Sequence, residues 1–202
     1  MSLTDYAGLS AAIAKTLNRE DMGDYIPDWI ALCEAELNSR LFTRKMVDSI
    51  AFTVSAESVA LPLDFNGVSS FQMLINNGYK LEYRSPTAFD DQPLNQRMPT
   101  YYTVIGDNFW FSPPPDGPYS ARLRYRKKVP ALSDADPTNW VLSDYPNLYL
   151  YGSLLHSAPF LKDDMRLGMW QGKFDQLLAQ INAQEVSQNL GATLQTQSGL
   201  IS

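Results

Sequence analysis

The sequence has little of what most catalytic and metal sites require. Among 202 residues there is one cysteine, Cys33, and one histidine, His156. One residue of each kind cannot supply a usual zinc site. A single cysteine cannot form an internal disulfide, which fits synthesis in a reducing compartment. The eleven glycines are scattered, and neither GxxxxGK nor GxGxxG occurs, so no phosphate-binding loop is predicted.

Two further absences concern membranes. No run of eighteen apolar residues occurs, and no basic segment precedes an apolar stretch among the first residues. We therefore predict neither a membrane span nor a secretory signal.

The net charge of −6 argues weakly against a protein that wraps around nucleic acid. The hydrophobic content of 45% is nevertheless sufficient for a packed core.

The residues around His156 give little support to catalysis. Ser153, Ser157 and Asp163 lie near it in sequence, but a catalytic histidine needs a nucleophile or carboxylate within hydrogen-bond reach. Asp134 and Asp136 resemble the start of a calcium loop that lacks its glycine and terminal glutamate. We therefore assign no catalytic, cofactor-binding or metal-binding residue, and we expect neither a cofactor nor an enzymatic activity.

The period of the apolar residues changes twice along the chain. Helical spacing covers residues 4–18 and 25–42, and it returns over 145–158 and about 164–187. Between about 46 and 130 the period falls towards two and turn residues multiply. This order predicts an α+β protein, mainly helical, with a four-helix-bundle-like body, an inserted antiparallel β region and an extended C-terminal arm.

Side chains typical of helix ends mark several boundaries. Asp24 and Ser85 are predicted N-caps, and Pro159 is predicted to end or kink the helix that begins at residue 145. The predicted apolar seam of the last helix consists of Leu167, Trp170, Phe174, Leu177 and Ile181.

The predicted domains follow from the same pattern. Because the β insertion leaves and returns between the second and third helices, the four helices can form one body. Its predicted bounds are 1–45 and 131–187, with the β region at 46–130 and a flexible C-terminal arm at 188–202.

Three arginines alternate along the last predicted strand, in "ARLRYRKK". Arg122, Arg124 and Arg126 fall on one face of that strand. They could contact an acidic partner subunit or DNA phosphates. The interpretation that we favour is a solvated sheet face whose arginines are paired locally.

The helix from 145 to 158 is apolar on nearly every side. Tyr149 and Tyr151 lie among leucines there. Such a helix is either central in the bundle or buried against a neighbouring chain. Both tyrosines are therefore candidate interface residues.

The C-terminal stretch has no charged residue after Glu185. Its apolar residues Leu190, Leu194, Leu200 and Ile201 are spaced among polar ones, so they are candidates for ordering on a partner. The alternative is a frayed terminus.

Residues 136–182 resemble the C-terminal signature of tailed-phage head-to-tail adaptor proteins. The resemblance is carried by Asp-Pro-Thr-Asn-Trp, then Pro-x-Leu-Tyr-Leu-Tyr-Gly, then Ala-Pro-Phe-Leu-Lys-Asp-Asp, and a tryptophan about six residues further on. Fainter similarity, in the same order of elements, extends it to residues 4–187. The C-terminal signature is the more specific part.

The resemblance implies a structural virion protein without catalysis. Such adaptors typically form a ring of twelve subunits beneath the portal protein, and the distal face of the ring receives the tail nozzle or tail-completion proteins. DNA would pass through the channel without specific binding, and the C-terminal arm would grip the portal. The expected location is the virion neck, after synthesis in the host cytoplasm, with no membrane contact. Because assembly on the portal needs only weak self-association, we expect a monomer when the protein is free.

Three alternatives remain. One is a neck or tail-completion protein that joins other virion parts. The second is a virion-associated cell-wall hydrolase, which would need a pair of carboxylates in a cleft. The third is a module that binds host proteins.

Overall fold

The computed structural model describes residues 3–75, 78–91, 95–161 and 165–198, with the backbone alone for residues 20 and 189–198. The chain is a mixed α+β protein, 46% helical and 24% strand. It divides into two compact units. The helical unit comprises Met1–Arg44 and Val129–Ser202, and the β unit comprises Lys45–Lys128.

The described residues contain six α-helices, of which all but α3 belong to the helical unit. Their bounds are α1 Tyr6–Leu17, α2 Ile26–Arg40, α3 Pro86–Asp90, α4 Trp140–Asp144, α5 Pro146–His156 and α6 Leu167–Ser198. Short 3₁₀ turns occur at Glu20–Tyr25, Arg44–Met46 and Ala158–Phe160.

The predicted four-helix-bundle-like body is wrong. The chain has two four-stranded sheets beside its helices, and the helical unit is arranged around the eleven-residue helix α5. Helices α1, α2, α4 and α6 all contact α5, and its Leu148, Tyr149 and Leu154 are fully buried. A helix enclosed in this way is apolar around its whole circumference, whereas each helix of a simple bundle buries one stripe.

The predicted extended C-terminal arm is also wrong where the backbone is described. Helix α6 continues to Ser198, and residues 199–202 lie outside the described residues. The buried seam of α6 consists of Trp170, Phe174, Leu178 and Ile181. The buried leucine of this seam is Leu178 and not the predicted Leu177, because the buried residues follow steps of four, four and three.

Local signals set most helix ends. The Asp5 carboxylate accepts a bond from the Gly8 N–H at 2.7 Å and begins α1, and Ser85 caps α3 as the sequence predicts. Helix α5 ends at His156, shortly before Pro159, in agreement with the predicted proline corner. Helix α2 begins after Tyr25 without a side-chain cap, so the predicted cap at Asp24 is wrong.

The β unit contains eight strands in its described residues. They are β1 Val47–Val54, β2 Ser58–Ala60, β3 Phe65–Met73, β4 Tyr79–Lys80, β5 Glu82–Tyr83, β6 Tyr101–Ile105, β7 Asn108–Ser112 and β8 Tyr119–Lys127. The first sheet has the order β1-β8-β3-β4 and the second β2-β7-β6-β5. Strands β5 and β6 are parallel, so the prediction of a wholly antiparallel region is wrong at this pair.

The two sheets enclose a hydrophobic core that belongs to the β unit alone. The Phe71 ring lies 5.2 Å from the Phe109 ring and 5.6 Å from the Phe111 ring, both edge-on. All three side chains are buried. Edge-on aromatic pairs of this kind add to the stabilisation from area burial.

Gly152 lets α5 approach α2 and α6 closely. A Cβ atom at this position would collide with Cys33 Sγ and lie 2.8 Å from Phe174 Cε2. Cys33, Phe174 and Gly152 are all buried, so the packing leaves no room for a methyl group.

We expect Gly152→Ala to lower the free energy of unfolding by about 1–3 kcal/mol, because overpacking forces the helices apart. Gly172→Ala in α6 is the matched control, since a Cβ there meets no atom within 4 Å. Alanine should stabilise that helix by about 0.5–1 kcal/mol. Urea unfolding followed by circular dichroism measures both effects, and equal effects of the two substitutions would contradict this packing.

Candidate interaction surfaces

The outer face of the first sheet is basic. Strand β8 alternates, so Ala121, Leu123 and Tyr125 are buried while Arg122 and Arg124 are exposed. Arg122 lies opposite Gln72, which lies opposite Lys80. Residues paired directly across strands point to the same face. We name this surface the basic sheet face: Arg122, Arg124, Arg126 and Lys80.

No acidic side chain interrupts the basic sheet face among the described residues paired across it. The neighbours of the arginines in register are small or neutral: Val47, Ser49 and Ala51 of β1, and Gly67, Ser70 and Gln72 of β3. Lys127, at the end of the same strand, instead pairs with Asp48 at 3.0 Å. Within the described part of the chain, Arg122 and Arg124 form no ion pair. The expected local pairing is therefore not found for these two residues.

A second exposed surface lies on the helical unit, and the sequence analysis missed it. Tyr25, Leu32 and Phe160 expose 44%, 51% and 42% of their surface. The ring of Phe160 lies 4.9 Å from the ring of Tyr25. Exposed Asp24 and Asp28 accompany them, and neither forms an ion pair within the described residues. We name these five residues the acidic aromatic patch.

Helical spacing could have revealed part of this patch. Tyr25, Asp28 and Leu32 follow steps of three and four residues, on a different face of α2 from the buried Ile26, Ile30, Cys33 and Leu37. Phe160 could not have been placed there from the sequence, because it comes from the 3₁₀ turn after α5.

Charge is divided unequally between the two units. The β unit has nine Lys and Arg against eight Asp and Glu, a net charge of 9 − 8 = +1. The helical unit has the remaining seven basic and fourteen acidic residues, a net charge of 7 − 14 = −7. The overall charge of −6 therefore originates in the helical unit.

Tyr149 lies in the interior, not on a surface. Its hydroxyl donates to Glu34 Oε1 at 3.0 Å and accepts from Asn139 Nδ2 at 2.7 Å. Glu34 Oε1 also accepts the Leu132 N–H at 2.8 Å, and Asn139 Oδ1 accepts the Leu142 N–H that begins α4. This buried network joins α2, α4, α5 and the returning segment, so Tyr149 offers no surface to a partner.

Burial governs the titration of this network. It raises the pKa of the Glu34 carboxyl above its ordinary value, and the bonds from Leu132 and Tyr149 oppose part of that shift. Burial, followed by the nearby charge of Glu34, raises the pKa of the Tyr149 hydroxyl. Burial also raises the pKa of the Cys33 thiol, so this cysteine is not poised as a thiolate nucleophile.

His156 lies beside an ion-pair network. Its Nε2 is 3.3 Å from Glu36 Oε2 but without hydrogen-bond geometry. Arg40 pairs with both Glu36 and Asp175, and these two bonds raise the pKa of its guanidinium. The network links α2 to α6.

The other candidate residues are scattered. Tyr151 is half-buried on α5. Leu190 and Leu194 lie on α6, where the backbone alone is described, and Leu200 and Ile201 lie outside the described residues. The structure thus places the three arginines together on β8, whereas Tyr149 and Tyr151 belong to α5 of the helical unit.

Two carboxylates line one cleft of about 260 Å³ in the β unit. Glu57 and Asp90 border it together with the apolar Ile105, Trp110 and Phe111. In the described residues, no three or more His, Cys, Asp and Glu side chains form a group that could hold a metal ion. Among the helices described, none combines the length and the apolar character of a membrane span.

The basic sheet face and the acidic aromatic patch are surfaces typical of proteins that contact other macromolecules. The chain belongs to the SU10 adaptor protein family, whose model matches residues 4–197. This is a family of phage head-to-tail adaptors, so the resemblance found in the sequence is confirmed. No curated protein matches the chain.

Membership of this family establishes four general properties of the protein. The protein is a phage adaptor, its family is structural, it acts by binding other virion proteins, and its place is the virion.

The raised pKa of Glu34 gives the stability a definite pH dependence. The folded chain holds this proton more tightly than the unfolded chain does. The stabilising contribution is therefore complete below the unfolded pKa, about 4.3, and is lost as the pH rises through the folded pKa. We expect the free energy of unfolding of the wild type to fall relative to that of Glu34→Gln as the pH rises above about 4.

Urea unfolding at a series of pH values measures this difference. Tyr149→Phe is the control, because it removes one bond to Glu34 but retains the carboxylate and hence a pH dependence of the same sign. A constant difference between wild type and Glu34→Gln over the whole range would show that Glu34 titrates alike in both states.

Proposed function

We propose that the protein is the head-to-tail adaptor that forms a ring beneath the portal, links the portal to the tail and continues the DNA channel. The observation that supports this most strongly is the family match over residues 4–197, nearly the whole chain. It includes both units, so the proposal does not depend on a shared fragment.

The two-unit architecture suits a part that joins different neighbours. Each unit has its own core and its own exposed surface, so one subunit can contact more than one partner at once. The proposed partners are the portal protein on one side and a tail nozzle or tail-completion protein on the other. The ring would be a homo-oligomer, of twelve subunits by similarity to such adaptors.

The net charge of −6 suits a channel through which DNA moves. Like charge on protein and phosphate opposes adhesion, so DNA would pass without specific binding. Any attraction would have to come from local basic surfaces.

The C-terminal stretch 188–202 is the proposed portal contact. It contains no charged residue, so docking would desolvate no ionised side chain of its own. We propose that the free protein is a monomer and that this stretch, whose backbone is helical to Ser198, docks on the portal.

The test is sedimentation of the purified protein mixed with the portal protein of the same phage. We expect a discrete ring–portal complex for the full chain, and a monomer without portal. A chain that ends at Gln188 retains the contacts of Arg44 with Glu185 and Gln188, so it should keep the urea midpoint of the full chain. It should bind the portal at least about tenfold more weakly, a loss of about 1.4 kcal/mol.

Three results would count against the proposal. If the full chain sediments separately from the portal protein, the proposed binding to the portal is wrong. If purified virions lack the protein, the proposed structural role in the virion is wrong. Clearing of peptidoglycan that is lost in Glu57→Gln or Asp90→Asn, the carboxylates of the β-unit cleft, would instead support the hydrolase alternative.

A further inference from the structure

We propose that the basic sheet face of one subunit docks on the acidic aromatic patch of a second copy of this chain, and that this contact joins neighbours in the ring. The inference rests on the proposed function for the ring itself. It adds which surfaces meet and which side chains hold them.

The first argument is charge. Arg122 and Arg124 are exposed without an ion pair among the described residues, and so are Asp24 and Asp28. The two surfaces lie on units of net charge +1 and −7. Opposite charges on two different surfaces steer copies of one chain towards head-to-tail contact and oppose contact between identical surfaces.

The second argument is the chemistry of the side chains. A guanidinium group pairs with a carboxylate through two hydrogen bonds and also stacks on an aromatic ring. The acidic aromatic patch offers both partners within a small area, because Tyr25 lies between Asp24 and Asp28 in sequence and its ring touches Phe160. Leu32 and the flanking Val47 of β1, which exposes 48% of its surface, supply apolar area for the same contact.

The third argument is symmetry. A contact between two different surfaces is heterologous, and repetition of such a contact closes into a ring when the rotation allows it. A contact between identical surfaces would produce a dimer and stop. The asymmetric distribution of charge therefore fits a ring better than it fits a two-fold dimer.

DNA is the competing occupant of the basic sheet face. Four basic side chains could pair with phosphates, but the rest of the chain is strongly acidic, and the helical unit would repel a duplex. A second copy offers the opposite charge together with aromatic rings. The observations therefore favour the second copy, and binding of duplex DNA becomes an outcome of the test.

The test is complementation between two charge-reversed chains. The first variant combines Arg122→Glu with Arg124→Glu, and the second combines Asp24→Arg with Asp28→Arg. In each variant alone, the side chains at positions 122 and 124 have the same sign of charge as those at positions 24 and 28. Each variant should therefore assemble on the portal at least tenfold more weakly than the wild type. An equimolar mixture should recover assembly, because alternating subunits again place opposite charges at positions 122 and 124 of one copy and positions 24 and 28 of the next.

Controls separate this contact from folding and from total charge. All four positions are exposed, and circular dichroism and urea midpoints verify that both variants fold. Arg97→Glu with Lys173→Glu produces the same change of net charge as the first variant at exposed positions elsewhere and should assemble like the wild type. The neutral pair Asp24→Asn and Asp28→Asn disturbs α2 less and should weaken assembly to a smaller extent.

The outcomes also distinguish this inference from the proposed function. If the wild type forms the ring–portal complex and the mixture does not recover it, the surfaces are wrong and the adaptor role stands. Assembly of the first variant like the wild type, with loss of duplex DNA binding, would assign the basic sheet face to DNA. If the wild type fails to bind the portal, the adaptor role fails, and cross-linking of the two variants at high concentration without portal still decides whether these surfaces meet.

Discussion

The helical unit depends on one buried hydrogen-bond network, in which the Tyr149 hydroxyl lies between Glu34 and Asn139. The unit is built from two segments of chain separated by the whole β unit. The two segments are joined covalently through the long insertion, so noncovalent contacts must align them with each other. Because Glu34 is on α2, Tyr149 on α5 and Asn139 at the start of α4, the network sets the register of all three. A buried polar network of this kind costs free energy unless every member is satisfied, and it thereby favours a single arrangement.

The division of the chain into two units explains how a protein of 202 residues can present chemically different surfaces. Each unit encloses its own core, so the outer positions of its helices or strands are free of packing demands. In the β unit, the alternation of β8 places apolar side chains in the core and arginines outside. In the helical unit, Asp28 and Leu32 lie on a different face of α2 from its buried residues, and the exposed rings of Tyr25 and Phe160 pack together beside the start of that helix. Function in a virion adaptor consists of contacts of this kind, which need no cleft and no strained geometry.

The sequence predicted the features that depend on local chemistry. The cap at Ser85, the corner at Pro159 and the alternation of β8 are each set by a few neighbouring residues. Helix α4 is not predicted because it has only five residues, and its cap, Asn139, owes its position to hydrogen bonds with Tyr149 and Pro130. Helical spacing predicts the four longer helices but not their arrangement around α5, which depends on packing such as the close approach at Gly152. The acidic aromatic patch was missed for the same reason, since Phe160 reaches it through the tertiary fold.

The pairing of β1 with β8 has a consequence for how the chain folds. Val47, just after the chain enters the β unit, lies opposite Arg126, just before it leaves. Once this sheet forms, the two ends of the insertion are held about 5 Å apart, and a loop of the insertion's full length becomes a connection of a few residues. The pairing of the sheet, and not the packing of the helices, then offsets the entropic cost of closing that loop. Formation of the β unit can thus bring the end of α2 close to the returning segment before the helices of the two segments pack.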